Sequence, residues 1–133
     1  MNFSILQGAH RSLKNNGKLI FTTLNGLFPL FHSVKDFFAK HNEAGDAKYD
    51  NITFDLMTFR DINITTLTDD DGKEMVLHCN ERYYVPSEIT WLLNSLGFKN
   101  IDIYGAKLGA FSRKDKLTTE DYEMLVIAQK QNT

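Results

Sequence analysis

AHRSLKNNGKLIFTTLN, residues 9–25, decides how the chain is read. Leu6, Ala9 and Leu13 recur at helical spacing, so Phe3–Lys14 is expected as an amphipathic helix with Ile5, Leu6, Ala9 and Leu13 on its apolar face. Asn15-Asn16-Gly17 then stops it, because Asn and Gly tolerate the left-handed conformation that commonly ends a helix. Lys18–Leu24 follows at once, a β-rich run short enough to be a buried strand. A helix that feeds a buried strand through a Gly-containing turn is the αβ half of a βαβ unit. No strand-forming run precedes the helix in the sequence.

Outward from that junction the elements are expected as follows. Asn25-Gly26 breaks the strand, and Leu27–Lys40 reads as a helix with Pro29 near its start and Leu30, Val34, Phe37 and Phe38 on one face. His41–Asp50 is polar and reads as a loop. Asn51–Val85 is β in character. There Ile62, Ile64 and Thr66 alternate with Asn63 and Thr65, Asp69-Asp70-Asp71-Gly72 turns the chain, and Met75–His78 returns, which predicts a hairpin. Pro86-Ser87-Glu88 opens a helix with Ile89, Leu92, Leu93 and Leu96 on one stripe, closed by Gly97. Lys99–Leu108 is a strand, Gly109–Asp121 a long polar connection, and Glu123–Lys130 a final strand.

Composition bounds the function. A chain of 133 residues with 42% hydrophobic content builds one core and no more. Net charge is −2 with Lys and Arg scattered, which is not the footprint of a nucleic-acid binder. No apolar run approaches the roughly 20 residues of a membrane span, so no membrane partner is expected. The lone Cys79 makes no internal disulfide, which suits a reducing cytoplasm. A calcium loop placed with Gly72 at its sixth position puts Leu67 first and His78 twelfth, where a carboxylate is needed, so the Asp run reads as a solvated turn and no metal is expected.

The ordered pieces resemble a known family. His10–Leu19 (HRSLKNNGKL) looks like the helix-to-fifth-strand junction of class I S-adenosylmethionine-dependent methyltransferases, usually Arg-x-Leu-Lys-Pro-Gly-Gly-x-Leu. Tyr84-Val85-Pro86-Ser87-Glu88-Ile89 through Leu96-Gly97-Phe98 resembles the family's last helix, and Glu123–Lys130 its closing antiparallel seventh strand. Asn15-Asn16 replaces the usual Pro-Gly, a change the left-handed tolerance of Asn permits. The resemblance implies an α/β fold: a partial Rossmann-like methyltransferase sheet, strands five to seven with flanking helices, plus an inserted β-hairpin. It makes residues 1–133 a single domain, the C-terminal portion of that fold, with 26–85 inserted on the substrate side.

The family binds S-adenosylmethionine through a Gly-rich loop after its first strand and an acidic residue ending its second. This sequence has no Gly-x-Gly cluster and lacks the strands that would carry one. The resemblance therefore implies S-adenosylmethionine in the complete fold and no cofactor-binding residue in the isolated chain.

Candidate substrate-side residues come from two places. Thr22, Thr23 and Asn25 sit at the carboxyl end of the first strand, where open α/β sheets bind ligands, although strand ends are often simply polar. His78-Cys79-Asn80-Glu81-Arg82-Tyr83-Tyr84 is the densest polar-aromatic run. In it Arg82 offers a partner for an anion and His78 or Glu81 a base, or else the run is an ordinary exposed strand. Alternation puts His78, Asn80 and Arg82 on one face and Cys79, Glu81 and Tyr83 on the other. Phe28, Phe31, Phe37 and Phe38 line a pocket or pack in a core.

Two function classes remain. The chain is the C-terminal portion of a methyltransferase for a small-molecule acceptor, working only with an N-terminal half, or a non-catalytic binding or assembly module derived from that fold. Without a fourth strand beside it, Lys18–Leu24 presents an open edge, so a homodimer through residues 18–24 is also expected.

Overall fold

The computed structural model describes residues 3–41, 47–107 and 109–132. They form α1 (Phe3–Ser12), β1 (Lys18–Leu24), α2 (Val34–His41), β2 (Ala47–Asp55), β3 (Arg60–Thr68), β4 (Glu74–Arg82), α3 (Pro86–Ser95), β5 (Phe98–Gly105) and β6 (Glu123–Lys130). The chain divides into two compact units, Met1–Phe28 with Tyr84–Thr133, and Pro29–Tyr83. Among the described residues, no helix is long and apolar enough to cross a membrane.

The first unit is a three-stranded sheet in the order β1-β6-β5, with β6 antiparallel to both neighbours. The last strand in sequence is thus the middle strand in space. Met124–Ala128 are all buried, as expected of a strand covered on both faces and hydrogen-bonded along both edges. On one face Met124, Val126 and Ala128 join Leu6 of α1, Ile89 and Leu93 of α3, Phe98 and Tyr84 in one core, with Leu19 and Phe21 of β1 packed against it. Fully burying an Ile or Leu is worth roughly 1.5–3 kcal/mol, so Ile89 and Leu93 are among the residues that hold this unit together.

The junction of residues 14–18 is stitched to β6. Asn16 adopts the left-handed conformation with φ 62°. Its amide donates to the Lys130 carbonyl at 3.2 Å, and the Lys130 amide donates to the Gly17 carbonyl at 2.8 Å. The Lys130 Nζ donates to the carbonyls of His10 and Leu13, both at 2.8 Å, capping the C-terminal end of α1 with a cation. The helix itself is shorter than its periodicity predicts, ending at Ser12. Ile5 is 63% exposed, not part of the apolar contact, because so short a helix meets the sheet along one narrow line through Leu6.

At the other helix, Pro86 occupies the first turn and Gly97 (φ 93°) follows the end of α3. A methyl group on Gly97 would lie 2.9 Å from the His10 Nε2, whose ring sits edge-on to Phe98 at 5.1 Å. β5 runs Phe98–Gly105, ending before the predicted Leu108, which lies outside the described residues.

The second unit is an antiparallel meander, β2-β3-β4, with α2 beside β2. The predicted hairpin is present as β3 and β4. Asp69 closes its turn, its Oδ1 accepting the amides of Asp71 at 3.0 Å and Lys73 at 2.8 Å. Two expectations are corrected. The loop predicted over His41–Asp50 contains the start of β2, because Ala47–Asp50 is held by pairing with Ile64–Leu67 and not by its own hydrophobic pattern; residues 42–46 lie outside the described residues. The helix predicted over Leu27–Lys40 is only Val34–His41. Asn25 turns the chain first, its Oδ1 accepting the Leu27 amide at 3.1 Å, and a residue preceding proline avoids the helical region. Ser33 then starts the helix, its Oγ accepting the Asp36 amide at 3.3 Å. Leu30 is left in the turn, 47% exposed.

Gly97→Ala is expected to cost about 2 kcal/mol in urea unfolding, combining the left-handed backbone penalty with the displaced His10 ring. An unchanged midpoint would show that the α3–β5 turn relaxes freely.

Candidate functional site

In the first unit the predicted residues lie at the carboxyl end of β1. Thr22 and Thr23 point to opposite faces of the sheet, Thr22 exposed and Thr23 buried. Asn25 is completely buried, and its side chain is fully engaged. Its Nδ2 donates to the carbonyls of Asp121 at 2.8 Å and Thr118 at 3.2 Å, while its Oδ1 accepts the Leu27 amide. Residues 118–121 are in turn self-capped: the Asp121 Oδ2 accepts the Thr118 amide at 2.8 Å, and the Thr118 Oγ1 accepts the Glu120 amide at 3.2 Å. Asn25 therefore fixes where β1 ends and where the connection before β6 returns. The backbone closes the same corner, with Asn25 N donating to Tyr122 O at 2.9 Å and Tyr84 N to Leu24 O at 3.1 Å. Phe28 is buried edge-on to Tyr122 at 5.5 Å, a packing role; Phe31 is 69% exposed. A shallow surface cavity of about 150 Å³ on this sheet is lined by Lys18, Asp102 and Arg113 and holds none of the candidates.

In the second unit β4 carries His78, Asn80 and Arg82 on one face, opposite Ile64, Ile62 and Arg60 of β3, as alternation requires. His78 and Asn80 are exposed. Arg60 donates to the Asn80 Oδ1 at 3.0 Å, and the Arg82 guanidinium donates to the Tyr83 carbonyl. Asn80 and Arg82 are thus occupied by local hydrogen bonds.

The other face of the same sheet holds residues that the sequence reading passed over. Asp61, Asn63 and Thr65 of β3 are buried at 0%, 3% and 6% exposure, whereas Ile62 on the reverse face is 49% exposed. This inverts the usual sense of a half-buried strand. The three polar side chains form a directed row: Thr65 Oγ1 donates to Asn63 Oδ1 at 2.7 Å, and Asn63 Nδ2 donates to Asp61 Oδ2 at 3.2 Å. The Cys79 thiol sits 3.9 Å from the Thr65 hydroxyl. Asp61 Oδ1 has no hydrogen-bond partner among the described residues. Beside Asp61 in register stand Phe54 and Glu81. The Phe54 ring is edge-on to Tyr83 at 5.3 Å and to Phe59 at 5.6 Å. Burial pushes the Asp61 carboxyl above its ordinary range, the Asn63 amide opposes that, and the nearby Glu81 charge adds to it. By contrast Asp55, in the turn after β2, is held below its ordinary range by the Thr58 hydroxyl and the Met57 amide.

The polar spacing i, i+2, i+4 in Asp61-Ile62-Asn63-Ile64-Thr65 is visible in the sequence. It marks a strand with one polar face, but nothing in the spacing says that this face is the buried one.

No protein-family model matches the chain. No curated protein matches it either. Solved structures do. The CcbJ methyltransferase of Streptomyces caelestis superposes with a TM-score of 0.64 at 10% identity, over 96% of this chain and 52% of that one. An S-adenosylmethionine-dependent methyltransferase of Clostridium acetobutylicum superposes with a TM-score of 0.61 at 14% identity, over 98% of this chain and 51% of that one. The chain has a methyltransferase-like α/β fold. It spans about half the length of the methyltransferases that it matches. Within this methyltransferase-like fold the sequence-predicted candidates fall into separate units, Thr22, Thr23 and Asn25 in one and His78, Asn80 and Arg82 in the other.

Asn25→Ala removes three hydrogen bonds at once and is expected to cost about 2–3 kcal/mol, with amide exchange rising first at residues 118–122. For Asp61 the folded state holds the proton more tightly than the unfolded chain does. Its contribution is therefore full below the ordinary value of 3.8 and lost as pH rises through the folded value. Asp61→Asn is expected to raise stability at pH 7 by on the order of 1 kcal/mol, with the gain shrinking on acidification in melts from pH 7 to pH 3.

Proposed function

We propose that this chain is the C-terminal portion of an S-adenosylmethionine-dependent methyltransferase acting on a small molecule, and that it works only together with an N-terminal half. The observation that carries this reading is the sheet order. A final strand inserted antiparallel between β1 and β5 is the arrangement the sequence resemblance calls for, and two methyltransferases match nearly the whole chain with half of their own length.

In this reading the cofactor cradle belongs to the other half. Gly17, Gly26, Gly97 and Gly105 lie against the chain's own atoms, so no space kept open by a missing side chain awaits a ligand there. The Asn25 side chain is consumed by backbone carbonyls and an amide. No step of methyl transfer is therefore assigned to these residues, and S-adenosylmethionine would be held by the other half.

That half has a place to attach. Among the described residues β1 is paired along one edge only, with β6. Tyr84 covers the other edge at Asn25 alone, through a parallel bridge. Lys18–Thr23 keeps a row of unpaired backbone groups, and Ile20 is 60% exposed. A strand of the N-terminal half docks there; without it, a second copy of the chain pairs through the same edge. The alternative is a binding or assembly module that kept the half-fold without the chemistry.

One comparison separates the two. Reading the DNA upstream of Met1 is expected to reveal a frame encoding a Gly-x-Gly strand–loop–helix. Calorimetry should then show S-adenosylmethionine binding to the extended polypeptide and none to residues 1–133 alone. Residues 1–133 alone are expected to be dimeric in light scattering at micromolar concentration. Cofactor binding by the short chain, or a well-folded monomer, would overturn the half-fold reading and the edge pairing respectively.

A further inference from the structure

On the first unit's sheet a cavity of about 150 Å³ opens between Lys18 of β1, Asn100 and Asp102 of β5, Arg113 of the connection 106–122, and Ile127 and Gln129 of β6. Lys18 stands opposite Gln129 and Asp102 opposite Ile127, so these four side chains share one face, the reverse of the one that carries Val126 and Ala128 into the core. Lys18, Asn100, Asp102 and Arg113 are exposed, so a solute reaches them directly. β5 is irregular beside the cavity. Its register with β6 slips by one residue between Lys99↔Gln129 and Asp102↔Ile127, and Asn100 takes φ 49°. A bulge of this kind bends the strand and re-aims its side chains. Asn100 is then held in place: its Nδ2 donates to Gln129 Oε1 at 2.9 Å, and Gln129 Nε2 donates to the Asn16 carbonyl at 3.0 Å. The Asn100 Oδ1 is left as an acceptor. Among the described residues the side chains of Lys18, Asp102 and Arg113 make no hydrogen bond or ion pair, whereas Lys107 of the same connection is paired with Asp115. Asp102 thus shares the cavity with two cations and pairs with neither.

Unlike charges set around one open space are the complement of a solute that carries both signs. A carboxylate suits Lys18 and Arg113, the guanidinium as a planar fork and the ammonium as a point charge. An ammonium group suits Asp102 and the Asn100 Oδ1, both acceptors. A plain anion meets repulsion from Asp102, and a plain cation meets it from Lys18 and Arg113. A cavity of about 150 Å³ holds one benzene-sized molecule, which limits the solute to about six heavy atoms. We infer that this cavity is a binding site for a small amino acid, its carboxylate received by Lys18 and Arg113 and its ammonium group by Asp102 and Asn100. The site lies at the start of β1, away from Thr22, Thr23 and Asn25 at the other end of the strand, and it does not rest on the methyltransferase reading.

The test uses the 133-residue chain and three probes: alanine, propionate, which lacks the ammonium group, and ethylamine, which lacks the carboxylate. Each is titrated at low ionic strength while the backbone amides of Lys18, Asp102 and Arg113 are followed by NMR. Alanine is expected to give saturable shifts at these residues with a dissociation constant of about 1 mM. Propionate should bind about tenfold more weakly, and ethylamine should not saturate. Arg113→Gln is expected to lower alanine affinity about tenfold. Asp102→Asn should lower alanine affinity about tenfold and raise that of propionate about threefold, so that the two exchange order. Both positions are exposed, and neither change is expected to move the melting temperature. Propionate binding as tightly as alanine would show a site for anions alone and overturn the assignment. So would unchanged alanine affinity in Arg113→Gln, propionate affinity that does not rise in Asp102→Asn, or no saturation by alanine at about 20 mM. Failure of the extended polypeptide to bind S-adenosylmethionine would remove the methyltransferase reading and leave this site standing.

Discussion

The first unit depends on the double pairing of β6. Its five central residues are buried, and its two edges hold β1 and β5 in antiparallel register. Because β6 follows both outer strands in sequence, neither has its β6 ladder until residues 123–130 are present. The contacts that define this unit are therefore long in sequence, and the closing ones are made by Lys130 with residues 10–17. A single lysine ties the end of the chain to its first helix, supplying charge where the helix carbonyls need a donor.

Two buried polar residues show opposite uses of burial. Asn25 satisfies every side-chain atom against backbone and so works as a clamp. Asp61 satisfies one oxygen and leaves the other without a partner among the described residues. A satisfied buried amide adds stability and a single geometry, whereas an unsatisfied buried carboxylate subtracts stability and holds interaction energy in reserve. The first kind shapes a scaffold.

Much of the first unit was legible because its elements carry local signals. Lys18–Leu24 and Glu123–Lys130 were predicted to the residue, since both are short apolar runs bounded by breakers. Pro86 and Gly97 bracketed α3, and Asn16 took the left-handed turn that its chemistry allows. The misreadings came where a partner overrides local preference. β2 begins in a polar stretch because β3 offers it a ladder, and Leu27–Ser33 stays out of helix because Asn25 and Pro29 turn the chain first.

By itself, then, the sequence determined the element types, the order of helix, strand and turn, and the three segments that resemble a methyltransferase, because propensity, capping and short-range spacing act within a few residues. It also determined that His78, Asn80 and Arg82 share a face, since side-chain alternation is a property of any strand. Only the tertiary structure decided that Asn25 is a clamp and that the buried face of β3 is the polar one. Each of those depends on what lies across space from a residue. A strand with Ile62 and Ile64 on one side and Asp61, Asn63 and Thr65 on the other has two faces in either case, and only the packing across space decides which of them is enclosed.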